Sequence, residues 1–168
     1  CRVWAVIVVW GLVMTANAQI VNIEGSRMEP DSMGWQGSAG LTFNYTQNIN
    51  KLFLVKGNTA LQYRFDNHIM LSLNDLNLAF SSNQKFNFSG FQHFRYNYLV
   101  NKWYTVEGFT QGQFDRVQKV KFRYLLGGGN RFTLLKKEKG KMHLGLLAMY
   151  EYEQEADTNI VHNDLRLS

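Results

Sequence analysis

From Met33 onward the chain repeats one pattern: a run in which apolar and polar residues alternate strictly, a polar break, then another such run. Alternation with period 2 puts successive side chains on opposite faces of a β-strand, and no stretch carries a competing helical period. In the first run Trp35, Gly37, Ala39, Leu41, Phe43 and Tyr45 share one parity, and Gln36, Ser38, Gly40, Thr42, Asn44 and Thr46 share the other. The second sets Phe53, Val55, Gly57, Thr59, Leu61, Tyr63 and Phe65 against Lys56, Asn58, Ala60, Gln62 and Arg64, before a tight turn at Asp66-Asn67. In the third, Ile69, Leu71 and Leu73 hold one parity and Leu76, Leu78 and Phe80 the other, so a β-bulge is expected near Asn74-Asp75 to keep all six on one face. The fourth opposes Phe86, Phe88, Phe94, Tyr96 and Tyr98 to Asn87, Ser89, His93, Arg95 and Asn97, and the fifth Tyr104, Val106, Gly108 and Phe114 to Thr105, Glu107, Gln111 and Gln113. The sixth opposes Val120, Phe122, Tyr124, Leu126, Phe132 and Leu134 to Lys121, Arg123, Arg131 and Thr133; the seventh Met142, Leu144, Leu146, Ala148, Tyr150 and Tyr152 to His143, Gly145, Glu151 and Glu153. An eighth begins near Asp164.

The fold class this predicts is all-β: an antiparallel up-and-down barrel over residues 33–168, incomplete, with about seven full strands and the start of an eighth. Alternation fits either a sheet whose apolar face is turned inward in water or a barrel whose apolar face is turned outward to lipid, and the side chains decide between them. The runs exceed the usual globular strand of about 5 or 6 residues and suffice for a tilted membrane strand of about 9 to 11. Aromatics close the apolar face repeatedly. Trp35, Tyr45, Phe86, Tyr96, Tyr98, Phe122, Tyr124, Tyr150 and Tyr152 are therefore expected to face lipid, in the manner of the aromatic girdles of outer-membrane barrels. The polar parity mixes amides, hydroxyls and glycine with charges of both signs, as a hydrogen-bonded lumen tolerates. The alternative is a soluble periplasmic barrel whose apolar parity surrounds a lipid or another small apolar ligand.

The segment before the strands supports export. Arg2 precedes an apolar run from Val3 to Met14, and Ala16-Asn17-Ala18 precedes Gln19, so residues 1–18 read as a signal peptide missing its start, cleaved between Ala18 and Gln19. The apolar run is shorter than the roughly 20 residues of a membrane-spanning helix. Residues 19–32 are an extended lead-in or a short strand. Of 168 residues, 45% are hydrophobic and 18% charged, with one Pro, which excludes a disordered or linker-rich chain. Losing Arg2 from the 18 Lys and Arg leaves 17 basic against 13 acidic residues, a mild excess scattered along the chain, unlike the focused patch of a nucleic-acid binder. The single Cys, Cys1, lies within the signal, which removes disulfides and Cys-based metal sites from the mature protein.

Several segments also resemble a known family. Phe94-Arg95-Tyr96-Asn97-Tyr98, Asn101-Lys102-Trp103 with Glu107 and Phe109, the stretch from Arg123 through Gly127-Gly128-Gly129 to Arg131-Phe132, and Met149-Tyr150-Glu151-Tyr152-Glu153 are similar to the YdiY-like salt-induced outer-membrane proteins, a family defined by a domain of unknown function. The resemblance implies an outer-membrane β-barrel of unestablished activity, with membrane lipids and the barrel-assembly machinery as partners.

Candidate chemistry is sparse. Gly127-Gly128-Gly129 lacks the Lys-Ser/Thr pair of a phosphate loop and lies within a strand pattern, where a glycine kink or bulge is expected. Asn44-Tyr45-Thr46 and Asn87-Phe88-Ser89 match a glycosylation acceptor by chance. Ser89 and His93 share a parity but stand about 13 Å apart along a strand at ~3.3 Å per residue, too far for a nucleophile–base hydrogen bond. With no close ligand pair among the four His, no metal, cofactor or catalytic group is expected. The polar parity instead collects Lys56, Arg64, Arg95, Glu107, Lys121, Arg123, Arg131, Glu151 and Glu153. Cross-strand pairing of Arg123 or Lys121 with Glu107 on one side and with Glu151 or Glu153 on the other would fill a narrow lumen with ion pairs, and an open channel would turn the same charges into a selective constriction. Lys136, Lys137, Lys139 and Lys141 around Gly140 read as a solvated turn that could touch lipid phosphates.

Overall fold

The computed structural model describes residues 33–47, 51–81, 87–137, 140–156 and 160–167, with the side chains of 136–141 left aside. The expectations for Ala18, Gln19, the 19–32 lead-in, Phe86 and the lysine turn lie outside the described residues.

The described chain forms one antiparallel sheet in sequence order: β1 Gly34–Gln47, β2 Lys51–Phe65, β3 His68–Ser81, β4 Asn87–Leu99, β5 Tyr104–Asp115, β6 Val120–Lys137, β7 Gly140–Glu155 and β8 Val161–Leu167. Each strand pairs with its sequence neighbours, and β1 and β8 are open edges, so the sheet is not closed. The eighth strand starts at Val161, slightly ahead of the Asp164 that the alternation marks. β2 and β3 are joined across Asp66 and Asn67 with Phe65 opposite His68; Asp66 takes φ of 47°, a left-handed conformation that Asp tolerates in turns. Between β5 and β6, Asp115 Oδ1 accepts the backbone N–H of Val117 at 2.8 Å and of Gln118 at 3.1 Å, which holds the turn by local hydrogen bonds.

Register sorts the side chains onto two faces. The parity that carries Gln62, Leu71, His93, Arg95, Glu107, Gln111, Leu125, Met149 and Glu151 is the buried one, whereas Leu41, Leu61, Leu126, Leu146 and Leu165 on the other stay exposed. A flat single sheet would leave both faces equally accessible. Burial of one parity follows from curvature: the sheet bends so that this inner face is crowded and the outer face splays.

Three expectations are corrected here. β3 pairs with β2 and β4 in unbroken register from His68 to Ala79, so there is no bulge at Asn74-Asp75. Ile69, Leu71 and Leu73 face inward, and Leu76, Leu78 and Phe80 outward; packing of Leu71 and Leu73 against Ala60 and Phe91 gives the inner face an apolar patch that rewards the change of polarity along the strand. β6 carries the register shifts instead, between Val120 and Phe122 and between Thr133 and Leu135. The first shift turns Val120 inward, opposite Asp115 and Glu155, where it is buried, and leaves Lys121 exposed in the irregularity instead of in the inner lattice.

The glycine run is unbulged. Gly127, Gly128 and Gly129 pair in continuous register with β5 and β7, and a Cβ on Gly129 would strike the Leu146 carbonyl oxygen and come within 2.8 Å of the Leu147 Cα. The neighbouring backbone approaches too closely for a side chain at Gly129, so the expected bulge is replaced by a close approach of β6 and β7.

Candidate functional site

The inner face is best described by rows running across the strands. One row holds Arg64, Ile69, Asn97, Glu107 and Gly129; the next Gln62, Leu71, Arg95, Phe109, Gly127 and Met149; the next Ala60, Leu73, His93, Gln111, Leu125 and Glu151. Residues in adjacent rows on neighbouring strands are diagonal neighbours, and long side chains reach across that spacing.

Glu107, 4% exposed, is the centre of the first charge cluster. Arg131 on β6 places Nε 3.0 Å from Glu107 Oε1 and donates from Nη2 to Oε2 at 3.2 Å, a two-point pairing; Arg95 on β4 lies 3.7 Å from Oε2 on the other side. Arg95 also lies over the Phe109 ring, 5.9 Å from its centroid. The partners are thus Arg131 and Arg95, correcting the expectation of Arg123 or Lys121. Register explains it: Glu107 stands opposite Asn97 and Gly129, which makes Arg95 and Arg131 its diagonal neighbours, while Arg123 is directly opposite Gln113.

The second cluster is the expected one on β6 and β7, extended by β8. Arg123 donates through Nε to Glu153 Oε2 at 2.6 Å and lies 3.2 Å from Glu151 Oε1; Arg166 reaches Glu151 Oε2 at 2.9 Å and Asp164 at 3.8 Å. Glu151 is thereby clamped from both sides while only 4% exposed. The expected lattice exists, as two clusters. Burying these carboxylates is tolerable because each meets at least one guanidinium. Arg166 and Asp164 carry no period signal in so short a strand, and the sequence reading missed them. Lys56 holds the inner parity but is exposed, near the β2 start, and Arg64 is half-buried at the opposite end.

Between the clusters the inner face is filled by rings and aliphatic side chains. His93, 1% exposed, donates from Nδ1 to Gln111 Oε1 at 3.1 Å and stacks between Phe91 at 6.2 Å and Phe109 at 5.5 Å. The hydrogen-bonding partner of His143 is the Thr133 hydroxyl, 3.1 Å away. Neither imidazole is paired with Ser89 in these contacts. Among the described residues, no three His, Cys, Asp or Glu gather where they could hold a metal.

The outer face carries the opposite chemistry. Between strand ends the outer parity of the described strands bears no Asp, Glu, Lys or Arg; Lys51, the first residue of β2, and Lys137, the last of β6, take outer register positions at strand ends. Rings crowd both rims. Trp35 packs on Tyr63 at 4.5 Å, Phe65 on His68 at 4.6 Å, His68 on Tyr98 at 5.0 Å, and Tyr104 on Phe132 at 5.1 Å along one rim. Phe53 and Phe80 at 6.1 Å and Phe88 and Phe114 at 4.6 Å stand toward the other. Ring hydroxyls find local partners: Tyr96 with His68 Nδ1 at 2.6 Å, Tyr124 with Thr110 at 2.8 Å, Tyr150 with Asn163 at 2.9 Å. Trp35, Tyr45, Tyr96, Tyr98, Phe122, Tyr124, Tyr150 and Tyr152 all take this outer parity.

Comparison with known proteins finds one family and nothing finer. No curated protein and no solved structure gives a significant match. A family model described as a protein of unknown function, DUF481, matches residues 39–166, from within β1 almost to the end of β8. With that match covering most of its length, the chain belongs to the DUF481 family, the YdiY-like proteins of unknown function.

Proposed function

We propose that this chain forms the wall of a bacterial outer-membrane β-barrel whose lumen is plugged by its own side chains and whose role is in the envelope, without catalysis. The observation that carries the reading is the division of chemistry by parity. Apart from Lys121 in the β6 irregularity, the strand-interior charges of the described strands lie on the inner parity, and the exposed outer face is mainly apolar with aromatic rims. In water that arrangement exposes a continuous apolar surface far beyond the few hundred Å² that monomers usually show. In a bilayer it matches the solvent on each side.

The plug follows from the inner rows. Leu71, Leu73, Phe109, Leu125 and Met149 occupy their middle, flanked by the two guanidinium–carboxylate clusters, and a small barrel filled this way leaves no water path. The same apolar patch is what favours the other reading, a soluble barrel around a lipid or small apolar ligand. Its lining is interrupted by Arg95, Gln111 and Glu151, which suits a packed interior better than an apolar ligand.

Membrane fractionation of the full-length gene product, followed by SDS gels of unheated and boiled samples, tests this. Outer-membrane recovery with a heat-dependent shift in mobility is expected, with negligible conductance in planar bilayers. Release into the soluble periplasmic fraction with no shift overturns the membrane reading, and steady conductance overturns the plug.

A further inference from the structure

One end of the inner face carries more positive charge than its own carboxylates balance. On β2 to β6, the three inner rows nearest the Asp66-Asn67 turn hold Arg64, Arg95 and Arg131 with a single acid, Glu107, a net charge of +2. Glu151, Glu153 and Asp164 lie in rows farther along and meet Arg123 and Arg166, while Asp66 and Lys102, both exposed, sit in turns and offset each other. We propose that this end of the inner face binds a tetrahedral oxyanion that keeps a proton: a hydrogen phosphate group, carried by inorganic phosphate or by a phosphomonoester. The site lies inside the curve of the sheet, so it does not depend on which solvent meets the outer face and goes beyond the membrane reading.

Charge makes the first demand. Arg131 takes Glu107 at two points, 3.0 and 3.2 Å, and Arg95, whose side chain is 7% exposed, stands 3.7 Å from the same carboxylate. One carboxylate balances one of these two guanidiniums, and half-buried Arg64 adds a further positive charge from β2, across Ile69 and Asn97. Charge taken out of water is costly unless an opposite charge accompanies it. An oxyanion supplies that charge, and guanidinium forks match its oxygens with charge-assisted hydrogen bonds. Gly34, directly opposite Arg64 on β1, has no side chain, and an added Cβ there would meet nothing within 4 Å, so the approach to Arg64 is open from the β1 side.

Asn97 makes the second demand, and it concerns the proton. The residue faces Glu107 directly, follows Arg95 on the same face of β4, and is 7% exposed. Its Oδ1 is buried with no hydrogen-bond partner among the described residues. A buried acceptor left without a donor is destabilising, and an anion that only accepts does not relieve it. Hydrogen phosphate meets both demands at once: its ionised oxygens accept from the guanidiniums, and its P–OH donates to Asn97 Oδ1. Sulfate carries no proton at neutral pH, so it would balance the arginines and leave Oδ1 unpaired. A cation is disfavoured by the positive excess itself.

The test is isothermal titration calorimetry of the full-length protein in non-ionic micelles at about pH 6, near the second ionisation of a phosphomonoester, with inorganic phosphate, methyl phosphate and sulfate as titrants. Saturable phosphate binding is expected, roughly tenfold or more tighter than that of sulfate. Arg64→Gln, at a half-buried position, should weaken it about fivefold or more, and Asn97→Ala should bring phosphate and sulfate within about threefold of each other, while far-UV circular dichroism of both variants stays that of the parent. Methyl phosphate binding as tightly as the inorganic ion assigns the site to a phosphomonoester, and binding of the inorganic ion alone assigns it to free phosphate. Absence of oxyanion binding overturns the proposal and gives the balancing charge to a carboxylate outside the described strands. Sulfate binding as tightly as phosphate to the parent overturns it too, because Asn97 would then read no proton, and so does phosphate binding that Arg64→Gln leaves unchanged, which would place the ion elsewhere.

Discussion

Glu107, like Glu151, is a buried carboxylate of the inner face held by two arginines. It is buried between two arginines from different strands, and removing its charge leaves Arg95 and Arg131 buried together without their shared counter-ion. Breaking a buried pair from one side costs about 3–5 kcal/mol. Glu107→Gln is therefore expected to lower the guanidinium unfolding midpoint of the micelle-refolded protein strongly. Lys121→Gln, at an exposed position in the β6 irregularity, should move that midpoint by less than about 0.5 kcal/mol equivalent. Equal effects from the two variants would remove Glu107 from the centre of the lattice.

At the scale of the element, β6 is the strand on which curvature depends. Its two register shifts lie near its ends, and its glycine run lies between them, where the β7 backbone comes closest. A Cβ on Gly129 would meet main-chain atoms that no rotamer change can move, whereas Gly108, its near neighbour on β5, has nothing within 4 Å of an added Cβ. Gly129→Ala is expected to prevent refolding or to shift the unfolding midpoint severely. Gly108→Ala should refold like the parent, since a strand interior gains from losing glycine's entropy, by about 0.5–1 kcal/mol. Refolding yields by heat-modifiability or circular dichroism compare them directly, and an unaffected Gly129→Ala would mean that β6 and β7 are farther apart than the structure places them.

For the whole molecule, the question is which solvent meets the outer face, and one substitution separates the answers. Leu126 lies on that face between the aromatic rims, 53% exposed, with no packing role on the inner side. If lipid covers it, Leu126→Arg at mid-bilayer costs about 2–4 kcal/mol. If water covers it, an exposed substitution of this kind stays within about 0.5 kcal/mol. We expect the larger loss, read as reduced recovery of folded protein from vesicles relative to Leu126→Ala; equal recovery would favour a water-exposed face.

Period and composition determined a good deal without coordinates. The strand order, the turn at Asp66-Asn67, the parity of the aromatics and the gathering of Arg95, Arg123, Arg131, Glu107, Glu151 and Glu153 on one face were all legible, because period 2 is a local property that each strand states for itself. Misreadings arose where a local rule met a non-local one. A switch of apolar parity in β3 looked like a bulge, yet Ile69, Leu71 and Leu73 turn inward because the middle of the inner face is itself apolar, a fact that belongs to β2, β4 and β6 as much as to β3. Val120 and Lys121 exchanged places because a shifted register, set by pairing with β5 and β7, leaves no mark on alternation. Which arginine meets which carboxylate likewise depended on cross-strand register. One residue of slip reassigns every diagonal neighbour, so only the assembled sheet could decide it.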